Sequence, residues 1–241
     1  MIISHKYKYL FVELPRTGST AISQELCDLY DGTPILCKHS TYLDFLKVAN
    51  PEEKEYFVFS GIRNPLDDAV SHYFKFKTDH KGNFTDPTRR KKRQGLVGNL
   101  NYSRFNFLKS SHADFSTFFM KYYKIPYNNW ASLSHKEFDF IIRFENLAHD
   151  FAKALKLIGI EAVRPLPVVN RTGKRENGYL TYYTPETIKR AKHVFSPFMK
   201  QWGYEFPPEW GDASVSWWNQ MEFEFFNIFR NAYWRYLRFR I

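Results

Sequence analysis

Tyr7-Lys8-Tyr9-Leu10-Phe11-Val12-Glu13-Leu14-Pro15-Arg16-Thr17-Gly18-Ser19-Thr20 is the stretch on which the fold turns. Its first eight residues are an apolar, β-rich run that stops at a proline, which predicts a strand. The next six make a turn around Gly18. Beyond it Ile22, Leu26 and Leu29 recur at spacings of four and three, the mark of one helix face. A strand, a glycine-containing turn and a helix in immediate succession open an α/β unit. In an open α/β sheet the ligand sits where such a strand ends. Here the backbone N–H groups from Thr17 to Thr20, the hydroxyls of Thr17, Ser19 and Thr20, and the guanidinium of Arg16 form a donor set suited to a phosphate. An ordinary capped turn would use the same Ser and Thr residues, so this segment alone leaves both readings open.

Further along, Glu55 to Ile62 (EYFVFSGI) reads as a buried strand, and a helix begins near Pro65 with Asp67 and Asp68 in its first turn. Phe138 to Glu145 is a third strand, followed by a helix from about Asn146 to Ile158. A short strand is expected at Pro34–Cys37. Further helices are expected over Tyr42–Ala49, around Phe105, over Phe115–Tyr123, and from Thr184 to Gln201 behind a Thr-Pro start. The polar stretch from His80 to Asn101 reads as a mobile loop. Strands alternating with helices predict an α/β fold with a mostly parallel sheet flanked by helices and right-handed crossovers. The domain reading is one α/β domain over residues 1–210. An aromatic helical extension over 211–241 then either completes that domain or forms an association surface.

The composition bounds the function. The 241 residues are 44% hydrophobic and 25% charged, which excludes a disordered or collagen-like chain. No window reaches the roughly 18 consecutive apolar residues of a spanning helix, and no apolar signal core opens the chain. Cys27 and Cys37 are too few for a disulfide scaffold and lack the partners of a zinc site, so no metal and a cytoplasmic location are expected. Lys and Arg total 35 against 25 Asp and Glu, a net charge of +10. That charge suits a nucleic acid, a smaller anionic substrate or merely a solvated basic surface.

The second strand narrows the choice. The first turn is not the usual triphosphate loop, in which Gly is followed after four residues by Gly-Lys-Ser/Thr. Glu13 stands five places before Gly18, and Ser19 stands where the lysine belongs. A kinase strand in the second position would often end in a metal-holding Asp, whereas this one ends in Arg63, with Ser71 eight residues on. An arginine at a strand end and a serine on the neighbouring helix can close on one phosphate monoester.

In their order and spacing these segments resemble the sulfotransferases that use 3′-phosphoadenosine 5′-phosphosulfate (PAPS). Pro15-Arg16-Thr17-Gly18-Ser19-Thr20 is similar to the loop that grips the 5′-phosphosulfate in that family. Ile62-Arg63-Asn64-Pro65 through Ser71 looks like the element that grips the 3′-phosphate. Arg143-Phe144-Glu145-Asn146-Leu147, Val169-Asn170-Arg171-Thr172 and Trp202-Gly203-Tyr204 extend the resemblance over most of the chain, although Phe74 to Ser134 carries no matching motif. Arg16 departs from the many members with Lys there and points to the protein- and carbohydrate-modifying subgroup. The resemblance implies sulfuryl transfer from PAPS to an acceptor hydroxyl of a glycan, lipid or small metabolite. No metal takes part, and Arg16 helps to hold the developing charge. Arg16, Thr17, Gly18, Ser19, Thr20, Arg63 and Ser71 are then cofactor-binding, with Arg171 and Lys174 as late-loop cations. The rival readings are a small-molecule kinase and a basic nucleic-acid-binding module, and neither accounts for the ordered pair of phosphate motifs.

Lys38-His39-Ser40-Thr41-Tyr42-Leu43-Asp44-Phe45 looks like the segment that carries a catalytic histidine in the uronyl 2-O-sulfotransferases, which makes His39 the expected general base. Without the resemblance it would read as a neighbour of the helix cap at Ser40 or Thr41. His72 is the competitor. The basic run Arg89–Arg93 is either a solvated loop or an edge that attracts an acidic glycan. In the tail, Trp218, Phe225, Phe229, Ala232 and Tyr236 share a helix face, with Arg230, Arg235, Arg238 and Arg240 nearby. That helix packs on the core, pairs with a second copy or anchors at a membrane interface.

Overall fold

The structure is a computed structural model that describes residues 1–91, 95–129, 138–167, 178–212 and 214–237. In chain order it forms β1 (Ile2–Ser4), β2 (Tyr9–Val12), α1 (Ser19–Leu29), β3 (Thr33–Pro34), α2 (Tyr42–Val48), β4 (Phe57–Ile62) and α3 (Pro65–Lys77). These are followed by α4 (Pro87–Lys91), α5 (Leu96–Ser111), α6 (Phe115–Tyr122), β5 (Phe140–Arg143), α7 (Leu147–Leu157), α8 (Pro185–Trp202) and α9 (Trp217–Ala232). The chain divides into two compact units. One comprises Met1–Asn64, Asn128–Asn170 and Glu224–Ile241; the other comprises Pro65–Tyr127 and Arg171–Phe223.

The first unit holds the sheet, with strand order β3-β1-β2-β4-β5. The α/β reading stands, but the sheet is mixed rather than mostly parallel. β2 pairs parallel with β4, and β4 with β5, while β1 runs antiparallel to both β2 and β3. The cause is β1 itself, which the sequence reading did not contain. Only residues 5–8 separate it from β2, with Lys8 left-handed at φ 52°, and so short a connection can join strands only antiparallel. β3 covers Pro34 but not the rest of the expected Pro34–Cys37. Leu36 turns the chain away in the left-handed region at φ 55°, and Pro34 lies on an edge strand, where its missing N–H is tolerated. β5 is shorter than expected because Phe144–Asn146 winds into a 3-10 turn. Tyr9, Phe11 and Phe59 of the sheet pack with Ile22 and Leu26 of α1 and with Phe151 and Leu155 of α7. The apolar periodicity of both helices is thereby satisfied.

The second unit is helical, and its core is largely aromatic. Tyr73 and Phe76 of α3, Phe105 of α5, Phe115, Phe118 and Phe119 of α6, and Phe195 of α8 are all buried in one cluster. Most of these rings meet edge-on or tilted, with Phe84 and Phe105 stacked at 5.1 Å. Two acids in the first turn of α3 are buried, and Asp68 accepts a 2.7 Å hydrogen bond from the Tyr127 hydroxyl. α8 starts at the expected place, capped reciprocally by Thr184 and Thr187.

One expectation fails here and one set of alternatives is narrowed. His80–Asn101 is not a loop throughout: it holds a 3-10 turn at His80–Gly82, all of α4 and the start of α5. Asp86 accepts from the amides of Thr88 and Arg89 ahead of Pro87, a helix start hidden by the basic run that follows it. In the tail, Trp218, Phe225, Phe229 and Tyr236 do not pack on the core. All four are exposed, and Phe223 is the buried aromatic of α9.

Candidate functional site

β2 runs out through Glu13 and Leu14 into the turn at Pro15–Gly18, and α1 begins at Ser19. Two residues of the turn are left-handed, Arg16 at φ 68° and Gly18 at φ 77°. Arg16 is there against the preference of a residue with a Cβ, a strained conformation of the kind that gathers at functional sites. Gly18 is the residue before the helix. It supplies no side-chain cap, and the first turn of α1 holds no acidic residue. α2, α6 and α8, by contrast, are each capped by a Thr or Asp side chain. The N–H groups of Gly18, Ser19 and Thr20 have no intrahelical acceptor by the geometry of a helix start. Neither the cap nor the first turn of α1 supplies an anion to its positive end.

The turn is held from several sides. The Thr17 hydroxyl, fully buried, donates to the Leu14 carbonyl at 2.9 Å, so it closes the turn on itself. A Cβ on Gly61 of β4 would lie 2.8 Å from that hydroxyl, so the strand carries glycine where the turn leans on it. A Cβ on Gly18 would lie 2.8 Å from Cδ2 of Leu147. Arg63, at the end of β4, donates from Nη1 to the Arg16 carbonyl at 3.1 Å and lies 4.0 Å over the Phe144 ring. The amide of Asn64 donates to Glu145 Oε1 at 2.6 Å. Phe144, Glu145 and Leu147 therefore buttress the turn and the strand end beside it. The sequence reading placed these residues in a motif without a role, and it passed over Gly61.

Lys38 and His39 reach the same turn. Lys38 Nζ donates to Thr20 Oγ1 at 3.0 Å and stands 3.8 Å from Glu13 Oε1. The buried Glu13 carboxylate also accepts from the Ser23 hydroxyl at 2.8 Å and from the Met1 amino group at 3.0 Å. Burial pushes that carboxyl up, but the Met1 amino group, the Ser23 bond and Lys38 outweigh it and hold it below its ordinary value. His39 is half-buried, left-handed at φ 64°, with Nδ1 3.0 Å from the Glu13 carbonyl. A carbonyl only accepts, so Nδ1 carries the proton and Nε2 is the basic nitrogen. Burial lowers the imidazole below its ordinary value, against the opposing pull of the Glu13 carbonyl and carboxylate. The lowered imidazole favours its neutral form and lies near Lys38 at the helix start. Lys38 was quoted with the His39 segment but given no role of its own. Its place on Thr20 shows only in three dimensions.

Ser71 is buried on α3 in the second unit. His72 packs there with its ring 4.6 Å from Phe76 and its Nδ1 3.3 Å from the Tyr123 hydroxyl, a place in the aromatic core. Arg171 and Lys174 lie outside the described residues. In the basic run, Arg89 pairs with Asp86 at 3.4 Å and Arg90 lies 4.0 Å over Tyr102, while Lys92 and Arg93 are outside the described residues. No group of three or more His, Cys, Asp or Glu side chains placed to hold a metal ion occurs among the described residues.

The family model described as the sulfotransferase family matches residues 1–227. Comparison with curated proteins and with solved structures gives no match.

Proposed function

This chain belongs to the sulfotransferase family, and from that premise we propose that it moves a sulfuryl group from PAPS to an acceptor hydroxyl. The observation that carries the reading is the start of α1. It lacks a side-chain cap, opens at left-handed Gly18, and is joined in one turn by Arg63 on the Arg16 carbonyl and Lys38 on Thr20. The helix-start N–H groups and Lys38 fit the phosphosulfate end of the nucleotide, and Arg63 lies beside the same turn. When bound, PAPS supplies an activated sulfuryl group whose leaving group is 3′-phosphoadenosine 5′-phosphate (PAP).

The chain's own residues account for the rest. The N–H groups of Gly18, Ser19 and Thr20, with Arg16 and Lys38, would hold the 5′ end and stabilise the negative charge released when the S–O bond breaks. Thr17 contributes by shaping the turn. Arg63 is assigned to the 3′-phosphate. Nε2 of His39 takes the acceptor's proton as its oxygen attacks, and the Glu13 carbonyl fixes the tautomer that leaves this nitrogen basic. A net charge of +10 favours an anionic acceptor, and we read the acceptor as a hydroxyl of an acidic glycan.

The test is transfer of label from PAPS carrying a labelled sulfuryl group to a panel of hydroxyl compounds that includes uronic-acid glycans. Label should appear in an acidic glycan together with an equal amount of PAP. Transfer confined to neutral acceptors would overturn the acceptor assignment. Phosphoryl transfer from ATP to the same panel, with none from PAPS, would overturn the reaction.

A further inference from the structure

α9 has its polarity largely reversed. A helix on a water-facing surface turns its apolar side inward, but α9 buries Asn219 and Asn227 beside Phe223 and leaves most of its large apolar side chains exposed. Asn219 Nδ2 donates at 2.7 Å to the His193 carbonyl, which Pro197, lacking an N–H, leaves without its helical donor. Asn227 Oδ1 accepts from Asn128 Nδ2 and from Arg230 Nη1, each at 3.0 Å. The inward polarity thus has structural reasons, and none of them calls for the outward rings.

On the outer side Trp217, Trp218, Met221, Phe225, Ile228 and Phe229 are all exposed, from 50% at Met221 to 76% at Trp218. Tyr236, in the π-helical turn Tyr233–Leu237 that continues α9, prolongs the stripe. At 3.6 residues per turn the positions from Trp217 to Phe229 span an arc of about 120° with no charged residue inside it, and the exposed Glu224 lies just outside one edge. Arg235 is exposed at its border. A contiguous apolar surface of this kind marks an interaction site.

We propose that this face lies on an anionic lipid surface, with its rings among the acyl chains and Arg235 at the headgroups. Three observations favour lipid over a second copy of the chain. The stripe is wider than the narrow seam of a two-helix pair. It is rich in Trp and ends in Tyr and Arg, the side chains that settle at a membrane interface, and the sequence continues with Arg238 and Arg240. The chain carries +10, which repels its own copies and is drawn to negative headgroups. No described helix is long and apolar enough to cross a membrane, so the mode is adsorption along the surface.

Vesicle sedimentation with the full chain tests this. The protein should pellet with vesicles of phosphatidylcholine and phosphatidylglycerol, and high salt should release part of it. It should stay in the supernatant with phosphatidylcholine alone. Arg235→Gln should weaken binding about fivefold, and Phe225→Gln with Ile228→Gln, at exposed positions, about a hundredfold or more. Failure of the unaltered protein to pellet with the mixed vesicles overturns the proposal. So does equal binding to neutral vesicles, or a dimer in light scattering that the double substitution dissolves.

Discussion

At His39 the direction of the pH response follows from burial. Burial holds its imidazole below the ordinary value, so the basic form predominates at neutral pH. Turnover should rise as pH climbs through a value below 6.5 and then stay level on the alkaline side of it. A rate profile whose acid limb lies above that value would assign the proton to another group. Stability follows the same sign. The folded pKa is depressed, so the folded state takes up its proton later than the unfolded chain does. The contribution is complete above the unfolded value and is lost as pH falls through the folded one. His39→Ala should cut turnover by about 10²–10⁴-fold with PAP affinity nearly unchanged, as kinetics and calorimetry on one preparation would report. Arg63 is a second test at this scale. Arg63→Ala should erase the preference for PAP over AMP, because AMP lacks the phosphate assigned to it. An equal loss for both nucleotides in paired titrations would make Arg63 a brace of the turn alone, through its bond to the Arg16 carbonyl and its contact with Phe144.

The β2–turn–α1 element works only because β4 lets the turn come close. Gly61→Ala would set a methyl 2.8 Å from Thr17 Oγ1 and 3.2 Å from the Thr17 carbonyl, so the turn must shift. We expect a loss of about 1–3 kcal/mol in denaturant unfolding, together with weaker PAP binding. An unchanged affinity would separate the turn from the nucleotide. Elements of this length also show what the sequence can and cannot reveal. β2, β4, α1, α7 and α8 were legible because an apolar period or a capped start runs through them. β1 has three residues and no period, and it becomes a strand only by pairing with β2 and β3. α4 has a readable start at Asp86-Pro87, but five consecutive cations read more readily as solvated loop. For α9 the helical face was identified, and its orientation was left open between the core and an outer surface. Periodicity says which side chains share a face and nothing about which face turns outward.

For the molecule as a whole, composition explains the material of the fold better than its plan. The chain is 19% aromatic, and many of those rings fill the core of the second unit. The two segments proposed to hold phosphate were legible as segments because each lies at a strand end or helix start, which a local pattern marks. The residues that hold them were not. Gly61, Lys38, Phe144, Glu145 and Leu147 act across segments far apart in sequence, and no local pattern shows that they converge on one turn. The central claim is that the start of α1 and the end of β4 receive a nucleotide with phosphates at both the 3′ and 5′ positions. Calorimetric titration of the full chain with PAP, AMP and magnesium-ATP tests it without knowledge of the acceptor. PAP should bind well above the other two and, at about 100 times its dissociation constant, stabilise the fold by roughly 2.7 kcal/mol. Magnesium-ATP binding as tightly as PAP, or tighter, would contradict the account.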